Sequence, residues 1–148
     1  MSINQQPIFT RQGDLSSNNG VLITALMSPT ILTATGDYTG VSANYKLVFT
    51  ADPTYGSFLN RLRFKAIGTN TASVARIFIN NGGLQTLVPN NTFYGEQDLP
   101  ATTAINTTST VTLDYPMNLF LPPGFCIYVG VATTVAAGWD VTPIAGSY

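Results

Sequence analysis

Tyr115-Pro-Met-Asn-Leu-Phe-Leu-Pro-Pro-Gly-Phe-Cys-Ile-Tyr-Val-Gly-Val-Ala-Thr-Thr-Val-Ala-Ala-Gly-Trp139 carries no charge and is long enough to imitate a membrane-spanning helix. Its middle forbids that reading. Pro122 and Pro123 cannot donate backbone hydrogen bonds, and Gly124 accepts positive φ, so Pro122-Pro123-Gly124 is a reversal. It divides two apolar runs, Met117 to Leu121 and Phe125 to Val131, each of strand length. The reading that follows is a hairpin-like pair of buried core strands.

Working outward, the same grammar of short apolar runs and turn residues recurs. From Phe58 to Ile67, Phe58, Leu62, Phe64 and Ala66 share one face while Arg61, Arg63 and Lys65 share the other. Gly68-Thr-Asn-Thr71 turns the chain, and Ser73 to Asn80 sets Ala75, Ile77 and Ile79 against Val74, Arg76 and Phe78; the economical pairing is a hairpin. Tyr45 to Ala51 alternates as a half-buried strand, with Tyr45, Leu47 and Phe49 on one face and Lys46 and Val48 on the other. Further strands are expected at Val21 to Met27, Ile31 to Thr35, Thr92 to Leu99, Ser109 to Leu113 and Gly138 to Ile144, with a short apolar run at Leu84 to Val88 and a bend at Asp114-Tyr115-Pro116. Residues 1–20 are polar and read as an extended N-terminal arm, leaving 21–148 as one domain. No capped amphipathic helix and no fixed-period repeat is present. The fold class is therefore all-β: a single-domain β-sandwich, a jelly roll ahead of an up-and-down barrel, since one sequence does not state connectivity.

Composition agrees. At 148 residues a single domain buries about 70% of its unfolded surface. Charged residues make up only 9% of the chain, against about 25% in an average domain, so Thr, Asn, Ser and Gly must cover much of the surface. Weak charge repulsion suits self-association or docking on a larger assembly. The net charge of −1 argues against nucleic-acid and anionic-membrane partners. Residues 1–76 hold six basic and three acidic residues, net +3, while 77–148 hold four acids and no base. The single cysteine, Cys126, excludes an internal disulfide and is expected as a buried thiol. The N-terminus shows no secretory signal pattern, so synthesis in a cytoplasm is expected.

The chemistry available is sparse. There is no histidine, and one cysteine cannot build a thiolate zinc site, so no metal, cofactor or enzymatic activity is expected. Glu96 and Asp98, two apart on a strand, form the best carboxylate pair, but glycosidase carboxylates flank a cleft rather than share a strand. Arg61, Arg63, Lys65 and Arg76 form the one concentrated charge feature. Gathered by a hairpin, they would make a protein-contact face for acidic surface such as Glu96, Asp98 or Asp114 on a partner or sister subunit. Tyr94, Tyr115, Tyr128 and Trp139 could stack sugars or lie in the core.

At Arg61-Leu-Arg-Phe-Lys65, Ala75-Arg-Ile-Phe-Ile-Asn-Asn-Gly82, Asp114-Tyr-Pro-Met-Asn-Leu119, Leu121-Pro-Pro-Gly124 and Gly130-Val-Ala-Thr-Thr-Val-Ala-Ala-Gly-Trp139, the chain resembles small virion proteins of tailed bacteriophages. The resemblance implies a jelly-roll or sandwich module serving as a capsid decoration, or cement, protein. Its partners would be the major capsid protein and its own copies in a homotrimer, and its location the capsid surface of a virion. These are turn and core motifs, so no functional residue transfers by position. A carbohydrate- or receptor-binding module of a tail or fibre would leave the same marks.

Overall fold

The computed structural model describes residues 11–12 and 37–147, nearly all in strands and the turns between them. Eight strands follow in order: β1 (Arg11–Gln12), β2 (Lys46–Thr50), β3 (Ser57–Ala66), β4 (Ser73–Asn80), β5 (Asn91–Leu99), β6 (Thr112–Leu121), β7 (Cys126–Val131) and β8 (Trp139–Ser147). Of the expected arm, Arg11–Gln12 alone are described, as a short strand on the end of β8. The strands expected at 21–27 and 31–35 lie outside the described residues.

Two four-stranded antiparallel sheets form, one ordered β1-β8-β3-β6 and the other β2-β7-β4-β5. The pairs β1·β8, β2·β7, β3·β6 and β4·β5 each join strands whose numbers sum to nine. That is the pattern of one long antiparallel hairpin, with its tip between β4 and β5, rolled until β3 meets β8 and β4 meets β7. The result is an eight-stranded jelly roll. Among the described residues β4 and β5 are the only consecutive strands that pair, which rules out an up-and-down barrel.

Two expected hairpins are thereby corrected. β6 and β7, on either side of Pro122-Pro123-Gly124, belong to different sheets, and so do β3 and β4. Turn residues report where the chain reverses; they do not report whether it returns alongside the same strand or crosses to the other layer. The end of the run expected at Ser109 to Leu113 and all of Met117 to Leu121 are also one strand, β6, which begins at Thr112. Pro116, beside the register shift against β3, does not end the strand, because β6 is the edge of its sheet, where a missing N–H removes no essential ladder bond. The apolar run Leu84 to Val88 is loop that ends in a short 3-10 turn, Val88–Asn90.

The core lies between the sheets. Leu59, Leu62 and Phe64 of β3, Met117 and Leu121 of β6, and Trp139 and Val141 of β8 face Val48 and Phe49 of β2, Ala75 and Ile77 of β4, Leu99 of β5, and Ile127, Val129 and Val131 of β7. Each large side chain so buried contributes about 1.5–3 kcal/mol of transfer free energy. Bulges explain where simple alternation fails. A register shift between Leu59 and Arg61 puts Leu59 inside and leaves Phe58 on the outer face, opposite Phe120. Another, between Leu47 and Phe49, buries Val48 and Phe49 together and turns Leu47 outward. Cys126 is half-buried at the start of β7, its Sγ 3.4 Å from the Gly124 carbonyl.

Candidate functional site

β3 is central in its sheet, so its outward side chains stand in the middle of an exposed face. Arg61, Arg63 and Lys65 are there, as the alternation requires. The register places Asp114 of β6 directly opposite Arg63. Arg63 grips it with two bonds, Nε to Oδ1 at 2.8 Å and Nη2 to Oδ2 at 3.0 Å, and Arg61 Nε lies 3.7 Å from the same carboxylate. The Arg63 hydrogen bonds, with the charges of Arg63 and Arg61, hold the Asp114 carboxyl below the ordinary range. Lys65 donates to Thr110 O at 2.7 Å and Thr112 Oγ1 at 3.0 Å, also across the β3–β6 boundary. Asp140 of β8 stands in register with Lys65 on the other side. Burial pushes its carboxyl up, and its Oδ1 is buried without a hydrogen-bond partner. Three cations and two carboxylates thus share this face, and its strongest pairing is internal.

Arg76 is not part of that face. Because β3 and β4 are in different sheets, the hairpin expected to gather all four cations does not exist. Arg76 points outward from β4 but is covered by the segment 37–45, which crosses the outer surface of the second sheet. Its Nε donates to Glu96 Oε1 at 3.1 Å, its Nη2 to the Tyr38 hydroxyl at 2.8 Å, and its guanidinium carbon lies 3.8 Å from the Tyr38 ring centroid. Burial works to lower the Arg76 pKa, but Glu96, Tyr45 and Tyr38 outweigh it and hold the group above its ordinary value. Phe78, next but one along β4, meets Tyr45 and Phe93 at ring distances of 4.7 and 5.3 Å. Gly130 leaves the space that the Tyr45 ring fills. At the start of the segment Asp37 caps its own turn, accepting from Thr39, Val41 and Ser42 N–H groups. Arg76 is therefore a strap anchor.

The other groupings come apart in the same way. Glu96 and Asp98 do share the outer face of β5, but Glu96 is engaged by Arg76. Trp139 is buried in the core, Tyr94 and Tyr115 meet edge-on with centroids 6.4 Å apart, and Tyr128 lies on β7 opposite Phe78 of β4. The four aromatics do not form one platform.

No protein-family model, curated protein or solved structure is similar enough to the chain to match it. The surface has to be read from its own chemistry. Among the described residues, no group of three or more potential ligands could hold a metal ion, and no helix is long and apolar enough to cross a membrane. Sequence reasoning missed the strap at 37–45 and the buried amide of Asn70. Asn70 Nδ2 donates to Gly68 O, Thr102 Oγ1 and Gly138 O, and Oδ1 accepts from Ala137 and Gly138 N–H at 2.9 and 2.7 Å. One side chain so ties together the β3–β4, β5–β6 and β7–β8 connections. Its only signal was an asparagine in a turn, which also describes many solvated residues.

Proposed function

We propose that this is a structural virion protein, a decoration protein that binds the outside of a phage capsid shell and reinforces the junctions between capsomers. The observation that carries the reading is the strand order, β1-β8-β3-β6 on β2-β7-β4-β5, in a chain with few charges. Jelly rolls of this kind recur in viral capsid and lectin domains, which makes the argument one of analogy in fold. The resemblance of its turn and core motifs to small phage virion proteins favours the capsid branch. The dispersal of Tyr94, Tyr115, Tyr128 and Trp139 weighs against the lectin branch and its tail or fibre role. Engagement of Glu96 by Arg76 supports a role without catalysis.

On this reading Arg61, Arg63 and Lys65 provide the oriented contact to the major capsid protein, with Asp114 fixing the geometry of the two arginines. Each site needs only modest affinity. A protein that binds the assembled lattice and not its free subunits stabilises the lattice by mass action, and a homotrimer bridging several capsomers multiplies single-site affinity. The test is co-sedimentation with expanded shells that lack the protein. Wild type should pellet with the shells and raise their disassembly temperature, and Arg63→Glu, which places a third carboxylate beside Asp114, should bind at least about tenfold more weakly. Failure of the wild type to pellet with any shell overturns the proposal.

A further inference from the structure

β4 runs into its loop through Asn80-Asn81-Gly82-Gly83, and Asn81-Gly82 is a chemically reactive pair. When glycine follows asparagine, no side chain shields the next backbone nitrogen, and that nitrogen can attack the amide carbon of the asparagine. A bond from Gly82 N to Asn81 Cγ forms, the Cγ–Nδ2 bond breaks, and the amide leaves as ammonia with the proton of the Gly82 N–H. One water then opens the succinimide ring. Cutting the new bond gives aspartate, and cutting the original peptide bond gives isoaspartate, with an extra methylene in the main chain. The turn has no freedom to avoid the pair, because Gly82 sits at φ +89° and a side chain there would come within 2.8 Å of Gly124 O.

The folded loop turns the reacting atoms away from each other. The three bonds of an imide nitrogen are coplanar, so the new bond must form where the N–H bond pointed. That direction is taken: the Gly82 N–H donates to Asn80 Oδ1 at 2.8 Å and so aims at the preceding side chain, not at Asn81 Cγ. The Asn81 amide is anchored as well, with Oδ1 accepting from the Gly83 N–H at 2.9 Å and Nδ2 donating to Asn90 Oδ1 at 3.2 Å. Asn80 is itself fixed, being 1% exposed with Nδ2 donating to Asn91 Oδ1 at 2.8 Å. Asn81, Gly82 and Gly83 are all exposed, so the barrier is one of geometry and not of access to water.

We infer that Asn81 is a latent deamidation site, closed in the folded loop by Asn80 and released when the β4–β5 loop opens. Asn80 makes no bond in the reaction and acts by positioning. Conversion runs one way. A carboxylate at position 81 has no proton to donate and would face Asn90 Oδ1, so the loop cannot close as before. The site therefore keeps a covalent record that the loop has been open. Nothing in this depends on where the protein works.

The test follows Asn81 of the full chain in mildly alkaline buffer by peptide mapping, with enzymatic methylation of isoaspartate as a second readout. Mapping separates it from the other Asn-Gly pair, Asn19-Gly20, which lies outside the described residues. Wild type should convert at least about tenfold more slowly when folded than in urea, and hydrogen exchange of the Gly82 N–H should be slowed by a comparable factor, since both need the same opening. Asn80→Ala, or Asn80→Val if the alanine variant does not fold, should convert at least about fivefold faster than wild type. Asn70→Ala, at the opposite end of β4, lowers global stability but should leave the rate at Asn81 within about twofold. Folded wild type that converts as fast as the unfolded chain, a Gly82 N–H that exchanges as fast as in it, or a folded Asn80 variant no faster than wild type overturns the inference. So does Asn70→Ala accelerating as much as the Asn80 variant, because the protection would then be global. If neither Asn80 variant folds, the two wild-type comparisons decide it.

Discussion

Replacing Asn70 by alanine tests whether one end of the sandwich is held by a single buried amide. Asn70 is 4% exposed and Gly138 is buried beside it. The substitution strips an acceptor from the Ala137 and Gly138 N–H groups, whereas Gly138 O keeps its bond from the Ile67 N–H at 3.2 Å and Gly68 O its bond from Thr102 Oγ1 at 2.6 Å. A buried N–H left unpaired costs about 1–3 kcal/mol. The half-buried Ala137 N–H regains water and costs less. The expected loss is about 2–4 kcal/mol, or roughly 5–15 °C in melting temperature for a domain of this size. Trp139 adjoins Gly138, so its fluorescence in a thermal or urea titration reports the transition directly. Asn70→Asp keeps the acceptor but sets a carboxylate among the Gly68 and Gly138 carbonyl oxygens, so it should be less stable at neutral pH than at about pH 4. Thr71→Ala, which removes only an exposed bond to Thr134 O, should change little. If Asn70→Ala melts within about 2 °C of wild type, the three connections are held by something else.

Asp140→Asn should raise the melting temperature at neutral pH. Burial holds this carboxyl above its ordinary 3.8, so ionisation is costlier in the folded chain; the cost vanishes below that value and is complete once pH exceeds the folded pKa. Melts of the two proteins should therefore converge at about pH 3 and separate by pH 7, and a separation that grows on acidification would contradict the assignment. Arg76→Ala should cost about 1–3 kcal/mol through lost stacking on Tyr38 and lost hydrogen bonds to Tyr38 and Glu96, and should expose segment 37–45 to proteases. Arg63→Ala, at an exposed pair, should leave the melting curve where it is; equal losses in the two variants would show that the strap is not anchored by Arg76.

The fold class was legible because turn residues and period-two apolar runs are local signals. β4 alternates as written, with Ala75, Ile77 and Ile79 facing the core. Connectivity was not legible, since Pro122-Pro123-Gly124 and Gly68-Thr-Asn-Thr71 look alike whether the chain makes a hairpin or changes sheets. That one ambiguity displaced Arg76 from the basic face, because its distance from Arg61, Arg63 and Lys65 depends on which strands are neighbours. Bulges were hidden for a related reason: Asn60 and Asn118, bonded at 3.1 Å, belong to a register shift that only the partner strand reveals. The apolar run Leu84 to Val88 did not state its own structure, because the flanking Asn80-Asn81 and Asn90-Asn91 pairs, which decide the loop, matter only once they face each other.

Cryo-electron microscopy of the particles that carry the chain tests the proposed position on a capsid directly. The account predicts density for this jelly roll on the outer surface of the icosahedral shell at capsomer junctions, with β3 and its Arg61, Arg63 and Lys65 side chains turned toward the lattice. Density for the chain confined to the tail or its fibres, with none on the shell, would contradict it.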